Sequence, residues 1–226
     1  RSTRKESSAA SDVYKRQRRN LALRGEESFA KVMDMAEYAR REINEIGGYY
    51  AYGKELVNGT SVYDYDVTKL SVHTLGLGLA GIEVYDLLRD EYDIQIEFGD
   101  VSNILAYISI GDRLQDIERL VGALADIARI YKKDSTGMLS GEFISPIVAR
   151  SPQEAFYSAK ESLPVEKTEG RISGEFVMCY PPGIPILAPG EMITDEIIQY
   201  ILYVKEKGCS MQGTEDKSVN KLKVLV

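Results

Sequence analysis

The sequence predicts an α+β fold, and three observations carry that prediction. Two long stretches have apolar residues at three- and four-residue steps, the mark of amphipathic helices. One segment alternates apolar and polar residues, as a half-buried strand does. Two further strand-like segments are joined by only five residues (GDVSN, 99–103), which suits an antiparallel pair and is too short for a crossover.

The elements come in this order. From Glu26 to Ile46, the positions Phe29, Val32, Met33, Ala36, Ala39, Ile43 and Ile46 form one helical stripe, which Gly47-Gly48 closes. Tyr49 to Tyr65 is rich in tyrosine and turn residues, with Asn58-Gly59 as a tight-turn signal. Leu70, Val72 and Thr74 alternate with Lys69, Ser71 and His73, a strand with one apolar face. A glycine-rich turn then leads into a helix from about Leu79 to Tyr92. Strands are expected near Ile94–Phe98 and Ile104–Ile110. Asp112 stands as the N-cap of a long helix whose stripe is Leu114, Ile117, Val121, Leu124, Ala128 and Tyr131. The order over 18–133 is α-β-α-β-β-α.

Composition then changes. All seven prolines lie between Pro146 and Pro189. The stretch KDSTGMLSG (133–141) reads as a linker, and a second, smaller domain is expected at 139–226. Within it, Ser151-Pro-Gln-Glu154 is a capping box with proline at the first helical position. Phe176–Tyr180 reads as a strand running into the proline-rich stretch, and Thr194 caps a last helix that Gly208 stops. There are no internal repeats.

The chain has 226 residues with 28 Lys+Arg against 35 Asp+Glu, a net charge of −7. That acidic balance argues against a general nucleic-acid binder, which carries a basic face. No apolar run approaches the roughly 18–20 residues that cross a bilayer, so no membrane partner is expected. One histidine, His73, and two cysteines, Cys179 and Cys209, are too few for a Cys/His metal site, so no metal is expected. The cysteines also lack framework spacing, and a reduced, cytoplasmic protein is the expectation.

The first residue is Arg1 and not Met. Residues 1–17 share no periodicity with the rest of the chain, and Ser7–Gln17 (SSAASDVYKRQ) resembles the in-frame translation of a sequencing-library adapter. We therefore expect 1–17 to be an artefact without fixed structure, and the chain from Arg18 to be the tail of a longer gene.

Several local signals could carry chemistry. Gly76-Leu-Gly78-Leu-Ala-Gly81 fits G-x-G-x-x-G after a strand and before a helix, with Glu97 sixteen residues on. A dinucleotide site needs such glycines for a tight turn and close approach to a pyrophosphate. The antiparallel character of the next strands favours the plainer reading, close helix–strand packing. His73 points away from Leu70 and Val72 but has no visible nucleophile or acid partner. Cys179 reads as a buried small hydrophobe. Asp64, Asp66 and Asp86 lack calcium-loop spacing, so solvated or capping roles are favoured. Tyr180 to Glu191, YPPGIPILAPGE, holds four prolines and two glycines. It is either a stiff connector or a rigid path that presents the Glu191 carboxylate at a site or interface.

That last stretch resembles the C-terminal-domain signature of the Orn/Lys/Arg decarboxylases. RRNLALRGEESF (18–29), the D-x-x-K at Asp66–Lys69, HTLGLGLAG (73–81) and NILAYISIGD (103–112) are similar to that family as well. The resemblance covers 18–226 and is nearest the shorter bacterial branch, the arginine decarboxylases. It implies a pyridoxal 5'-phosphate enzyme of the aspartate-aminotransferase fold: its small domain over 18–138, then an α/β C-terminal decarboxylase domain over 139–226. It implies that the large cofactor-binding domain and its Schiff-base lysine precede Arg18, so no catalytic residue is assigned here and the chain alone should be inactive. The cofactor would accept the electrons released as carbon dioxide leaves a basic amino acid, in polyamine biosynthesis. The same resemblance makes Glu191 the candidate reader of the substrate's distal cation, and Thr74, Gly76 and Gly78 a turn near the cofactor cleft. A homodimer or higher homo-oligomer is implied. Two other readings stay open: a stand-alone α+β amino-acid-binding regulatory or assembly module, and a dinucleotide-binding oxidoreductase.

Overall fold

The computed structural model describes residues 3–134 and 144–226, with side chains from Ser11 onward. The boundary expected at 138/139 and most of the expected linker lie outside the described residues.

The first helix, α1 (Thr3–Ile46), is far longer than the apolar stripe requires. Val32, Ala36, Ala39 and Ile43 are buried, as the periodicity predicts, but Phe29 and Met33 are 42% and 46% exposed. Met33 is exposed although its neighbours Val32 and Met35 pack on the core, so it lies on a side of the helix that nothing covers. The helix runs back to Thr3, through a stretch for which the sequence predicts no fixed structure. No proline or glycine falls between Thr3 and Arg24. Once the packed end has nucleated the helix, each added residue extends it at little cost. An i,i+4 pair, Arg16 on Asp12 at 3.0 Å, adds to it.

Gly47 and Gly48, both at φ near +80°, turn the chain into β1 (Tyr50–Ala51). β2 (Lys69–His73), α2 (Gly81–Asp90), β3 (Phe98–Gly99), β4 (Asn103–Tyr107) and α3 (Leu114–Ile130) come next. The sheet order is β1-β2-β4-β3, every pair antiparallel. In the central pair, Leu70 faces Ala106 and Val72 faces Ile104. All four are buried, so the period-2 pattern sets the register. Leu88, Leu124 and Ile127, from α2 and α3, complete this first core. Asp112 is not the N-cap of α3. Arg113 occupies that position, Asp116 accepts its N–H, and Asp112 instead accepts the N–H of Ser109.

The antiparallel pairing of β2 with β4 corrects the dinucleotide reading. The glycines serve contact between elements. A side chain on Gly76 would strike the carbonyl oxygen of Gly48, one on Gly78 (φ +71°) the carbonyl of Lys133, and one on Gly81 that of Asn103.

A second core gathers Val177, Leu187, Ile193, Ile197, Ile201, Leu222 and Val224. Its elements are α4 (Pro152–Tyr157), β5 (Lys160–Pro164), β6 (Val177–Tyr180), β7 (Ile184–Leu187), α5 (Asp195–Glu206), β8 (Ser210–Gln212) and β9 (Lys221–Leu225). The capping box at Ser151 and the Thr194 cap form as their residues predict. The expected α/β character is corrected: β7-β6-β8 and β5-β9 are antiparallel throughout. Only Pro181–Gly183 separate β6 from β7, and so short a link can only make a hairpin.

An apolar cluster and a group of charged side chains are among the contacts that join the cores. Val101 packs with Cys179, Val204 and Cys209 in a small apolar cluster. Glu83 of α2 bonds Lys133 at 2.7 Å and lies 3.9 Å from Lys207, at the end of α5. Burial raises the Glu83 carboxyl. The hydrogen bonds from Lys133 and the Ala80 N–H, with the charges of Lys133 and Lys207, outweigh burial and hold it below 4.5.

Two outcomes are expected in denaturant melts. Gly81→Ala should destabilise by roughly 1–3 kcal/mol, because backbone must move to admit the methyl group. Gly122→Ala, on an exposed helix position with open space around it, should stabilise by about 0.5–1 kcal/mol. For Glu83 the folded-state pKa is lowered, so its contribution is full above the unfolded carboxylate value and fades as pH falls through the folded one. Glu83→Gln should therefore lie below wild type in stability at pH 7, with the gap narrowing as the solution is acidified.

Candidate functional site

The two cores meet along a seam, and the seam holds a cavity of about 250 Å³. One wall is the turn between β3 and β4, Asp100 to Asn103. The other is the start of the proline-rich hairpin, Pro181, Pro182 and Ile184, with Cys179 and Tyr200.

Local chemistry builds the first wall. Asp100 folds its own turn: one carboxylate oxygen accepts the N–H groups of Ser102 at 2.8 Å and Asn103 at 2.6 Å. An aspartate followed by free amides two and three residues on closes this way. The backbone of the same turn holds its neighbours. Ile82 N–H donates to the Asp100 carbonyl at 2.7 Å and Thr74 N–H to the Ser102 carbonyl at 2.9 Å. Asn103 faces His73 directly across the strand pair. Its side-chain oxygen accepts the Tyr52 hydroxyl at 3.1 Å and lies 3.3 Å from His73 Nδ1. An amide oxygen is only an acceptor, so a hydrogen bond between the two uses a proton on His73 Nδ1.

The second wall is stiffened by its residues. Both X–Pro bonds of Tyr180-Pro181-Pro182 are cis, and Gly183 (φ +90°) returns its N–H to the Cys179 carbonyl at 2.9 Å. The Tyr200 hydroxyl is pushed up to about 12 by burial, with the Asp100 charge adding to it. Burial and then the Asp100 charge also raise Tyr52. Cys179 and Cys209, thirty residues apart in sequence, lie together as free, buried thiols. Hydrogen bonding to Cys209, then burial, keeps Cys179 in the thiol form.

The residues expected from sequence sit apart. Thr74 is fully buried, and its hydroxyl donates to the Leu79 carbonyl at 2.8 Å and reaches the Ser102 carbonyl at 3.2 Å. Gly76 and Gly78 pack on backbone. All three hold the glycine turn against the seam. Glu191 lies at the opposite end of the β6–β7 hairpin. Pro189 and Gly190 (φ +94°) occupy the middle of its turn, the pattern that a type II turn requires. Glu191 accepts the Ala188 N–H at 2.8 Å, and its backbone pairs with Val148. Thus Glu191 and the glycine turn are not brought together. Sequence reading missed Asp100, Asn103, Tyr52 and Tyr200; the DVSN turn was the available signal for the first two.

Asp66 accepts both Thr68 groups, Asp64 the Tyr65 N–H, and Asp86 pairs with Arg89, all local roles. Among the described residues no group of His, Cys, Asp and Glu could hold a metal ion, and no helix is long and apolar enough to cross a membrane.

Comparison with known proteins shows the family. Residues 140–217 match the Orn/Lys/Arg decarboxylase C-terminal domain. Arginine decarboxylases of Halalkalibacterium halodurans and Bacillus subtilis are 38% and 37% identical, over 92% of this chain and 43% of theirs. The chain thus spans less than half the length of these relatives. The constitutive lysine decarboxylase of Escherichia coli, at 18% identity, has the same fold over 89% of this chain and 41% of its own, with a TM-score of 0.61. A Francisella novicida lysine decarboxylase matches with the same TM-score, 0.61. The sequence signatures, the matched domain and the shared fold together establish that this chain belongs to the Orn/Lys/Arg decarboxylase family and carries its C-terminal portion.

Proposed function

We propose that the chain is the C-terminal part of a pyridoxal-phosphate-dependent decarboxylase that converts arginine to agmatine and carbon dioxide. The observation that carries this is coverage. Arginine decarboxylases match 92% of the chain at 37–38% identity, whereas the E. coli constitutive lysine decarboxylase matches 46% of it at 30%.

The cofactor belongs to this proposal and not to the described seam. Lys133 and Lys207 are committed to Glu83 there. The glycine turn uses its N–H groups internally: Leu77 to the Thr74 carbonyl, Gly78 to that of Leu75, and Ala80 to Glu83. A Schiff base needs a lysine amine and the phosphate a cradle of open N–H groups. These residues supply neither, so they do not fit the group. The cofactor lysine is assigned to the portion of the relatives that this chain does not match.

Within that reading, 18–138 forms the small domain of the aspartate-aminotransferase architecture and 139–226 the C-terminal domain. Residues 1–17 come from an adapter. The existence of one core before Lys133 and another after Ile144 supports the division. The complete enzyme is a cytoplasmic homo-oligomer. Glu191 reads the distal cation of the amino acid, while Thr74, Gly76 and Gly78 act by holding the turn in place.

Two measurements test the proposal. The full-length enzyme should release carbon dioxide from arginine in preference to lysine and ornithine, and the 226-residue chain should release none. Equal rates on lysine would remove the arginine assignment. In the full-length enzyme, Glu191→Gln keeps an oxygen for the Ala188 N–H but loses the charge. Losing a charge-assisted bond should raise KM for arginine about 10- to 100-fold with kcat little changed. An unchanged KM takes Glu191 out of the site.

A further inference from the structure

We propose that the seam cavity bounded by Asp100, Tyr200 and the Pro181-Pro182 hairpin binds a small organic cation with an alkyl tail, an alkylammonium or alkylguanidinium ion. The inference rests on the cavity's own residues and stands apart from the decarboxylase reading.

The lining divides by chemistry. Asp100 is its one carboxylate, and no lysine, arginine or histidine shares the lining. None of the ion pairs among the described residues includes Asp100. The Asp100 oxygen that closes the turn takes the Ser102 and Asn103 amides, which leaves the other oxygen with lone pairs to direct at a ligand. Its negative charge reaches Cys179 and Tyr200 on the facing wall. A half-buried carboxylate without a counter-charge favours a cation, because reduced local polarity strengthens the attraction. Tyr200, on the same lining, adds an aromatic ring, a group that attracts ammonium and guanidinium ions.

The rest of the lining is apolar. Val101, Pro181, Pro182 and Ile184 form a greasy edge beside the carboxylate. A cation that also has an alkyl chain satisfies both halves. A bare metal ion would leave the apolar half empty, and a zwitterionic amino acid would bring a second carboxylate toward Asp100. A volume of about 250 Å³ admits a short unbranched chain with one charged head.

The test uses the 226-residue chain and three probes of matched length: n-butylguanidinium, n-butylammonium and neutral n-butanol. Amide NMR shifts should report saturable binding of both cations at Asp100–Asn103 and around Tyr200, and little response to butanol. Asp100→Asn retains the acceptor that closes the turn and should weaken cation binding at least tenfold. Ile184 is 68% exposed, so Ile184→Lys can place an ammonium at the cavity without disturbing a core. It should abolish binding, and its unchanged spectrum elsewhere would report an intact fold. Absence of saturable shifts, butanol binding as well as the cations, or full affinity in both variants overturns the proposal.

Discussion

Most of this structure depends on how the four-residue turn from Asp100 to Asn103 is closed. A single carboxylate oxygen takes two backbone N–H groups, and that fixes a loop which would otherwise carry unsatisfied donors near a core. Its carbonyls then receive Ile82 and Thr74, which sets the start of α2 and the glycine turn. Its Asn103 side chain gathers Tyr52 and His73, and its Val101 side chain enters the apolar cluster with Cys179 and Val204. One short turn thus touches both cores.

The glycines make that closeness possible. Gly81 abuts the Asn103 carbonyl so tightly that no side chain fits, and Gly76 and Gly78 do the same against the ends of α1 and α3. A run of glycines that fits a phosphate-binding fingerprint on paper serves backbone-to-backbone packing here. The proline-rich hairpin plays the opposite part. It has little conformational freedom to lose, so it offers the seam a stiff wall. The cavity lies where these two kinds of rigidity meet without filling the space between them.

Much of both units was legible because the signals are local. Leu70, Val72 and Ile104 alternate as a half-buried sheet demands, and Ser151 and Thr194 cap their helices by side-chain chemistry alone. Phe29 and Met33 were misread because periodicity defines a face without saying whether anything covers it. The length of α1 was missed for a related reason: a helix needs no apolar face once it is nucleated. Asp112 and Arg113 differ by one position because Asp112 and Asp116 both close N–H groups near the helix start. β5, β8 and β9 escaped notice since their partners are distant in sequence. The site was the least legible part. Asp100, Tyr200 and Cys179 converge only through tertiary packing, while Glu191 and Thr74, singled out by motif, lie at separate places.

The most direct test of the turn's central role is hydrogen exchange in wild type and Asp100→Ala. If the turn holds both units, the variant should lose protection at Thr74 and Ile82 and also at Gly183, across the seam. Loss confined to Ser102 and Asn103, with Thr74, Ile82 and Gly183 as slow as in wild type, would contradict that account.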